Sequence, residues 1–210
     1  MPVERSGSAK PKCHFVTRAG AYFPLLVVFC SVLLVGSLSR CLLVLWQFDR
    51  VSESGVFPSI FLHGLRVDLI LAGMAVAPML LVLPILGNRF NWALWKKLTF
   101  SWAILVIALI IFMELVTPAF INQYDVRPNR LFIEYLKYPR EVFSMLWTGY
   151  KSTVFLSLGL TVAGVAVFWR TLRSWLGAPR PSSHRKALLI WPLVVVTVFM
   201  CVRSTTGHRP

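Results

Sequence analysis

Four charged residues stand inside otherwise apolar stretches of this sequence, where their chemistry would be either ion pairing or proton transfer. Two are bases, Arg40 and Arg66, and two are acids, Asp68 and Glu114. A charge at the centre of a membrane helix costs about 2.5–3.5 kcal/mol on insertion scales, and an opposite charge nearby offsets much of that cost. We therefore expect the four side chains to converge into one neutral cluster.

Two other interpretations of these charges stay open. The long side chains of Arg40 and Arg66 can each extend to water at the membrane surface. Asp68 and Glu114 are too short to do so, which favours pairing for the two acids. A proton relay through the two acids would instead indicate a transporter.

A second candidate site lies between residues 114 and 150, where charges and aromatic rings recur at helical spacing. Pro128 suits the first turn of a helix, and Pro139 would end that helix and open another. Two short amphipathic helices over about 128–150, lying on the membrane surface, fit this pattern. The expected headgroup or domain-docking surface comprises Asn129, Arg130, Glu134, Tyr135, Arg140 and Glu141.

The role of the basic residues on this surface has two interpretations. They can bind anionic lipid headgroups or a substrate phosphate. They can also pair locally, as Glu134 can with Arg130 and Lys137 along one helix face. Both interpretations place Trp147 and Tyr150 at headgroup depth.

No catalytic residue or metal site is predicted within these 210 residues. No nucleophile lies beside a base, and no glycine-rich phosphate loop is present. The four histidines are scattered along the chain: His14, His63, His184 and His208. The four cysteines form no close pair and are expected to be small apolar side chains: Cys13, Cys30, Cys41 and Cys201.

Hydropathy identifies the elements that position these residues. Hydrophobic residues make up 57% of the chain, and the mean hydropathy is +0.69. The sequence therefore predicts an all-α membrane protein with five transmembrane helices. A cleaved signal peptide is the alternative for the first run, which is too long for one. The predicted spans are about 21–46, 57–86, 98–120, 151–169 and 187–202.

Basic residues set the expected orientation. Segments 1–20, 87–97 and 170–186 together contain twelve Lys and Arg side chains and one acid, Glu4. The positive-inside rule therefore predicts a cytoplasmic N-terminus and an extracytoplasmic C-terminus. This asymmetry also accounts for the net charge of +14 without nucleic-acid binding. The charge cluster is then expected in the outer leaflet, and the segment 114–150 on the outer side.

Three stretches resemble one protein family. Residues 64–69 read G-L-R-V-D-L, which is similar to a signature of the lipoteichoic acid synthase-like proteins of the sulfatase superfamily. Residues 127–142, R-P-N-R-L-F-I-E-Y-L-K-Y-P-R-E-V, resemble a second conserved run of that family. Residues 205–210 resemble the linker that precedes the catalytic domain in Gram-negative members.

The resemblance implies a location and an activity. In that family, five helices in the bacterial inner membrane anchor an extracytoplasmic catalytic domain of the sulfatase type. That domain carries a threonine nucleophile and a divalent metal, Mn or Mg. It transfers phosphoglycerol or phosphoethanolamine from a membrane phospholipid, or hydrolyses a phosphate or sulfate ester. The implied partners are membrane phospholipids and the protein's own catalytic domain.

This chain ends where that domain would begin. The expected organisation is a cytoplasmic tail (1–20), a transmembrane domain (21–202) and the start of a linker (203–210), with the catalytic domain and its metal missing. Thr205 and Thr206 are linker residues on this interpretation. The alternatives are a stand-alone membrane sensor or assembly subunit and, less readily, a small transporter, for which no internal repeat is evident.

Overall fold

Long helices account for nearly all of the chain that the structure describes. The structure, a computed structural model, describes residues 20–55, 57–88, 90–124, 140, 144, 147–176 and 184–203. No strand occurs in these ranges, so the expected all-α fold is confirmed for them. After a 3-10 turn, the helices are α1 (Phe23–Trp46), α2 (Phe48–Ser54), α3 (Phe57–Leu86), α4 (Trp92–Tyr124), α5 (Lys151–Leu176) and α6 (His184–Arg203).

Four of these helices have the length and composition needed to cross a membrane. The apolar spans are Gly20–Trp46, Phe57–Leu86, Trp92–Asn122 and Lys151–Arg173. In α6 the apolar stretch is shorter, Leu188–Arg203. Helices of this number and kind characterise a multi-pass membrane protein.

The helices run beyond several of the predicted spans. The third span was expected over 98–120, whereas α4 extends from Trp92 to Tyr124. α5 continues seven residues past the expected end at Trp169, to Leu176. Hydropathy marks the apolar part of a helix, whereas backbone hydrogen bonds continue through polar residues at either end. The expected connector 47–55 also folds into α2, which ends at Gly55 in the left-handed region, with φ of 64°.

The helices pack as a row of neighbours. α3 contacts α1 and α6, α1 also contacts α4, and α4 contacts α5; α3 and α4 touch over a smaller area. Side chains of the three central helices meet in the core, where Val32, Leu80 and Ile107 are at most 2% exposed. α5 and α6 keep many exposed apolar side chains, such as Leu156 and Leu193. Acyl chains solvate such surfaces in a bilayer, so they need no protein partner there.

A proline in α3 is compensated by a side chain of α6. Pro84 has no N–H group, so it cannot donate the helical hydrogen bond to the carbonyl of Leu80. The indole Nε1–H of Trp191 donates to that same carbonyl over 2.9 Å. An unsatisfied carbonyl is costly in hydrocarbon, so this bond ties α6 to α3 at the break. A similar bond joins α4 to α3, from Trp102 Nε1–H to the carbonyl of Ala75 at 2.8 Å.

The two ends of the helix row differ in chemistry. At one end, here called the Trp46 end, α1 ends, and Trp46 and Trp147 are about half exposed. The Nζ of Lys151 lies 5.0 Å from the ring centroid of Trp147. At the opposite end, called the Lys97 end, Lys97 and Arg170 are both exposed. Acids and bases thus occur together at the Trp46 end, whereas the Lys97 end has bases and, within the described ranges, no acid.

Candidate functional site: a buried ion pair and a carboxyl-lined groove

A buried ion pair joins α1 to α3 near the Trp46 end. The Nη2 of Arg40 donates a hydrogen bond of 2.9 Å to Oδ1 of Asp68. Arg40 is 4% exposed and Asp68 is 6% exposed, so neither side chain reaches the protein surface. Opposite charges at this distance offset each other's desolvation, which makes the pair electrically neutral inside the helix row.

Two glycines make room for this pair. Gly36 precedes Arg40 by one helical turn, and Gly64 precedes Asp68 by one turn. A Cβ atom on Gly36 would lie 2.6 Å from Oδ1 of Asp68, and a Cβ atom on Gly64 would overlap the guanidinium of Arg40. Each glycine therefore faces the charged residue of the opposite helix. Small residues at such crossings let membrane helices approach closely.

One oxygen of the ion pair is incompletely bonded. The Oδ2 of Asp68 is buried and has no hydrogen-bond partner. Among the buried polar atoms without a partner in the described ranges, it is the one that belongs to a charged group; the others are on Trp95 and Thr99. Burying an acceptor without a partner is unfavourable, so the stability of the pair depends strongly on the bond that Arg40 does make.

The second acid lies on the other side of α1. The Oγ–H of Ser39 donates a short hydrogen bond to Oε2 of Glu114 on α4. Ser39 immediately precedes Arg40, and successive residues of a helix point about 100° apart. α1 therefore contacts one acid on each side, Asp68 through Arg40 and Glu114 through Ser39.

Glu114 and Ser39 open onto a groove between α1 and α4. Its volume is about 530 Å³. Apart from these two side chains, every lining residue is apolar. The apolar residues of the lining are Val35, Leu38, Leu42, Leu43, Trp46, Ile111, Leu115 and Pro118.

Arg66 lies on a different face of α3 from Asp68. The two residues are two positions apart, and side chains at that spacing do not face each other on a helix. Arg66 is exposed and lines a shallow depression of about 230 Å³ together with Met200 and Cys201 of α6. Of the four residues expected to converge, the structure joins Arg40 to Asp68 directly. It connects Glu114 to the neighbouring Ser39 and directs Arg66 toward α6.

Most of the predicted headgroup or docking surface lies outside the described residues. Arg140 is described, and it is helical and exposed. The interfacial helices over about 128–150 therefore stay a prediction. The residues of that surface outside the described ranges are Asn129, Arg130, Glu134, Tyr135 and Glu141.

The described residues offer no metal site. Nowhere in those ranges do three His, Cys, Asp or Glu side chains lie close enough to hold an ion. The resemblance places the Mn or Mg ion in the catalytic domain and not among these residues. Cys30, Cys41 and Cys201 are free thiols, the first two of them exposed.

Sequence reasoning missed Gly36 and Ser39, and it noted Gly64 only as part of the stretch 64–69 and not for its packing role. The detectable signal was the spacing, because a glycine lies four residues before both Arg40 and Asp68. Small residues at that distance from a charge mark the same helix face, where a neighbouring helix can approach. The role of Ser39 has no such signal, since it depends on α4 being the second neighbour of α1.

Two comparisons with known proteins find no match. No model of a protein family matches this chain, and no solved structure matches it significantly. Its class therefore rests on its own features: an all-α, multi-pass membrane protein with a buried ion pair near one end.

Proposed function

We propose that this chain is the membrane-anchoring domain of a sulfatase-like enzyme. That enzyme would transfer phosphoglycerol or phosphoethanolamine from a membrane phospholipid, or hydrolyse a phosphate or sulfate ester. The anchor crosses the bacterial inner membrane five times, with α6 as the fifth span. Its N-terminus is cytoplasmic, and it holds the catalytic domain at the outer face.

The observation that carries this proposal is the structural role of residues 64–69. This is the stretch that resembles the family signature, and two of its residues form one side of the α1–α3 contact. Asp68 accepts the hydrogen bond from Arg40, and the lack of a side chain at Gly64 makes room for the guanidinium. A signature that holds two helices together is expected in a membrane domain whose task is structural rather than catalytic.

The distribution of charged residues supports the orientation. The axial distance along α5 from Lys151 to Arg170 is about 29 Å at 1.5 Å per residue, close to the roughly 30 Å of bilayer hydrocarbon. Trp147 then lies at one interface and the exposed Arg170 at the other. Lys and Arg concentrate on the cytoplasmic side, so the Lys97 end faces the cytoplasm and the Trp46 end faces outward.

Anchoring has a physical advantage for such an enzyme. A lipid substrate is confined to a surface, and an enzyme held at that surface meets it at a far higher effective concentration than an enzyme in bulk solution. The chain then needs no catalytic residue of its own. It fixes the height and orientation of the catalytic domain relative to the membrane.

A labelling experiment tests the orientation. Glu53→Cys and Phe90→Cys place single thiols at exposed positions on the two connections that flank α3. Both are made in a background in which all four native cysteines are serine. An impermeant maleimide should label residue 53 in intact cells and residue 90 only after permeabilisation. The reverse pattern would overturn the proposal.

A second experiment tests the catalytic partner. An antibody against residues 1–20 should detect, in native membranes, a polypeptide far larger than the 23.8 kDa of this chain. An extract of those membranes should cleave a phosphate-ester substrate in the presence of Mn or Mg. A native band at 23.8 kDa alone would favour the sensor or assembly-subunit alternative instead.

A further inference from the structure

We propose that the groove between α1 and α4 binds a neutral diacyl lipid with a free hydroxyl, a diacylglycerol, whose hydroxyl donates to Glu114. The binding itself depends only on the groove. Its role as the site of the lipid left behind after headgroup transfer rests on the proposed function.

The size and lining of the groove suit an acyl chain. Its volume of about 530 Å³ falls within the roughly 300–1,000 Å³ typical of small-molecule sites. It follows α1 from Val35 to Trp46, an axial length of about 16 Å. Apolar side chains form both walls, with Leu38 and Leu42 on α1 facing Ile111 and Leu115 on α4. A lipid chain therefore gains continuous apolar contact along the groove.

The depth of Glu114 selects the part of the lipid that reaches it. At 1.5 Å per residue, Glu114 lies about 26 Å along α4 from Lys97. With Lys97 at one interface, the carboxyl lies just inside the far boundary of a hydrocarbon layer of roughly 30 Å. This is the level at which the glycerol of a lipid meets its acyl chains, below the headgroups. An acceptor at that depth has little water to satisfy it.

The groove wall offers acceptors and no positive charge. Oε2 of Glu114 already accepts from Ser39, and the carboxyl has further lone pairs. Pro118 has no N–H group, so it cannot donate the helical hydrogen bond to the main-chain carbonyl of Glu114. No Lys, Arg or His is among the groove-lining residues of the described chain. The complementary ligand is therefore a hydrogen-bond donor.

The groove also discriminates against phosphate. A phosphate at the level of Glu114 would meet acceptors and no cation among the groove-lining residues, and it would lose hydration that nothing there replaces. The nearest identified cation on α1, Arg40, donates to Asp68 on the α3 side. A diacylglycerol has a hydroxyl at that level and no charge, so it satisfies the acceptor without burying a charged group.

The proposed enzyme activity would generate this lipid beside the groove. Headgroup transfer breaks the bond between phosphorus and the diacylglycerol oxygen, and forms a bond between phosphorus and the oxygen of an acceptor alcohol. The proton lost by the acceptor alcohol ends on the diacylglycerol oxygen. The released lipid thus has the one hydroxyl donor that the groove accepts.

Photo-crosslinking of the 210-residue chain in phosphatidylcholine nanodiscs tests the inference. The probes are a diacylglycerol, a phosphatidylethanolamine and a phosphatidic acid with the same diazirine-bearing acyl chain. Mass spectrometry should map the diacylglycerol adducts to Leu38, Leu42, Ile111 and Leu115. Diacylglycerol labelling there should exceed that by either phospholipid about five- to tenfold, the ratio expected for one hydrogen bond in a dry site.

Variants separate the acceptor from the groove. Glu114→Leu should remove the preference for diacylglycerol, whereas Glu114→Gln should keep diacylglycerol labelling and admit phospholipid. Leu115→Trp fills the groove and should abolish labelling. Its matched control is Leu109→Trp, an exposed position on α4 that is not part of the groove lining. Leu42→Trp fills the groove from α1 if the first variant misfolds.

Three outcomes would overturn the inference. One is equal labelling by all three probes, and another is adducts spread evenly over the exposed apolar surface. The third is a lack of labelling on the α1 and α4 walls in a chain that sediments as a dimer, which would make the groove a dimer interface. None of these results changes the accessibility expected at residues 53 and 90, so this inference can fail while the anchor proposal stands.

Discussion

Loss of one partner from the Arg40–Asp68 pair is expected to be more damaging than loss of both. Asp68→Leu leaves the guanidinium of Arg40 buried at 4% exposure with no carboxylate to bond. Arginine cannot release its proton to become neutral. In Arg40→Leu the stranded group is the Asp68 carboxyl, which can neutralise by binding a proton. The single variants should therefore differ, with Asp68→Leu the less stable.

The magnitude follows from the burial of the pair. Breaking a buried ion pair from one side costs about 3–5 kcal/mol, whereas replacing both charges with apolar side chains is often neutral. Unfolded membrane proteins keep their helices in lipid, where an arginine also finds partners, so we take about 3 kcal/mol for Asp68→Leu. The double variant should recover at least half of this loss. The interaction term of the mutant cycle then exceeds about 1.5 kcal/mol.

The assay is reversible unfolding in mixed micelles, with titration of a denaturing detergent and tryptophan fluorescence as the signal. Asp68→Asn serves as an intermediate variant, because its amide oxygen still accepts from Arg40 without the charge. We expect the order of stability to be the native protein, then the double variant, then Asp68→Asn, then Asp68→Leu. A double variant less stable than both single variants would refute the reasoning, because the pair would then contribute net stability that apolar packing cannot replace.

Two further substitutions test other contacts between the helices. Gly64→Ala should destabilise by about 1–3 kcal/mol because the new methyl group overlaps the guanidinium of Arg40, whereas Gly159→Ala, which meets no atom within 4 Å, should be neutral or slightly stabilising in the same unfolding assay. Trp191→Phe should cost about 1 kcal/mol in the native background and markedly less with Pro84→Ala, because residue 84 then supplies the N–H that the Leu80 carbonyl lacks. Equal costs in the two backgrounds would contradict that account.

Hydropathy was sufficient to predict where the helices lie but not where they begin and end. The second span was predicted over 57–86, and α3 occupies Phe57–Leu86. The third span was predicted over 98–120, and α4 begins earlier, since Lys96 and Lys97 fall outside the apolar run although they lie within the helix. The hydrocarbon thickness limits the apolar run, whereas the helix ends where its main-chain hydrogen bonds end.

The candidate site was only partly accessible from the sequence. The charges of Arg40 and Asp68 predicted pairing, since neither is tolerated alone in an apolar helix. Convergence of all four charges requires knowing which faces of neighbouring helices meet. α1 meets α3 through Arg40 and meets α4 through Ser39, so Asp68 and Glu114 contact different side chains. Arg66 lies two positions from Asp68, on another face of α3. The order of helices is a property of tertiary packing, which periodicity does not encode.

The bond between Trp191 and the carbonyl of Leu80 has a consequence for biosynthesis. The donor follows the acceptor by 111 residues. At a synthesis rate of about 5–20 residues per second, Trp191 is synthesised roughly 6–22 s after Leu80. Throughout that interval the Leu80 carbonyl has no donor from α6. An unpaired main-chain carbonyl is costly in hydrocarbon, so the break in α3 is satisfied only when α6 docks.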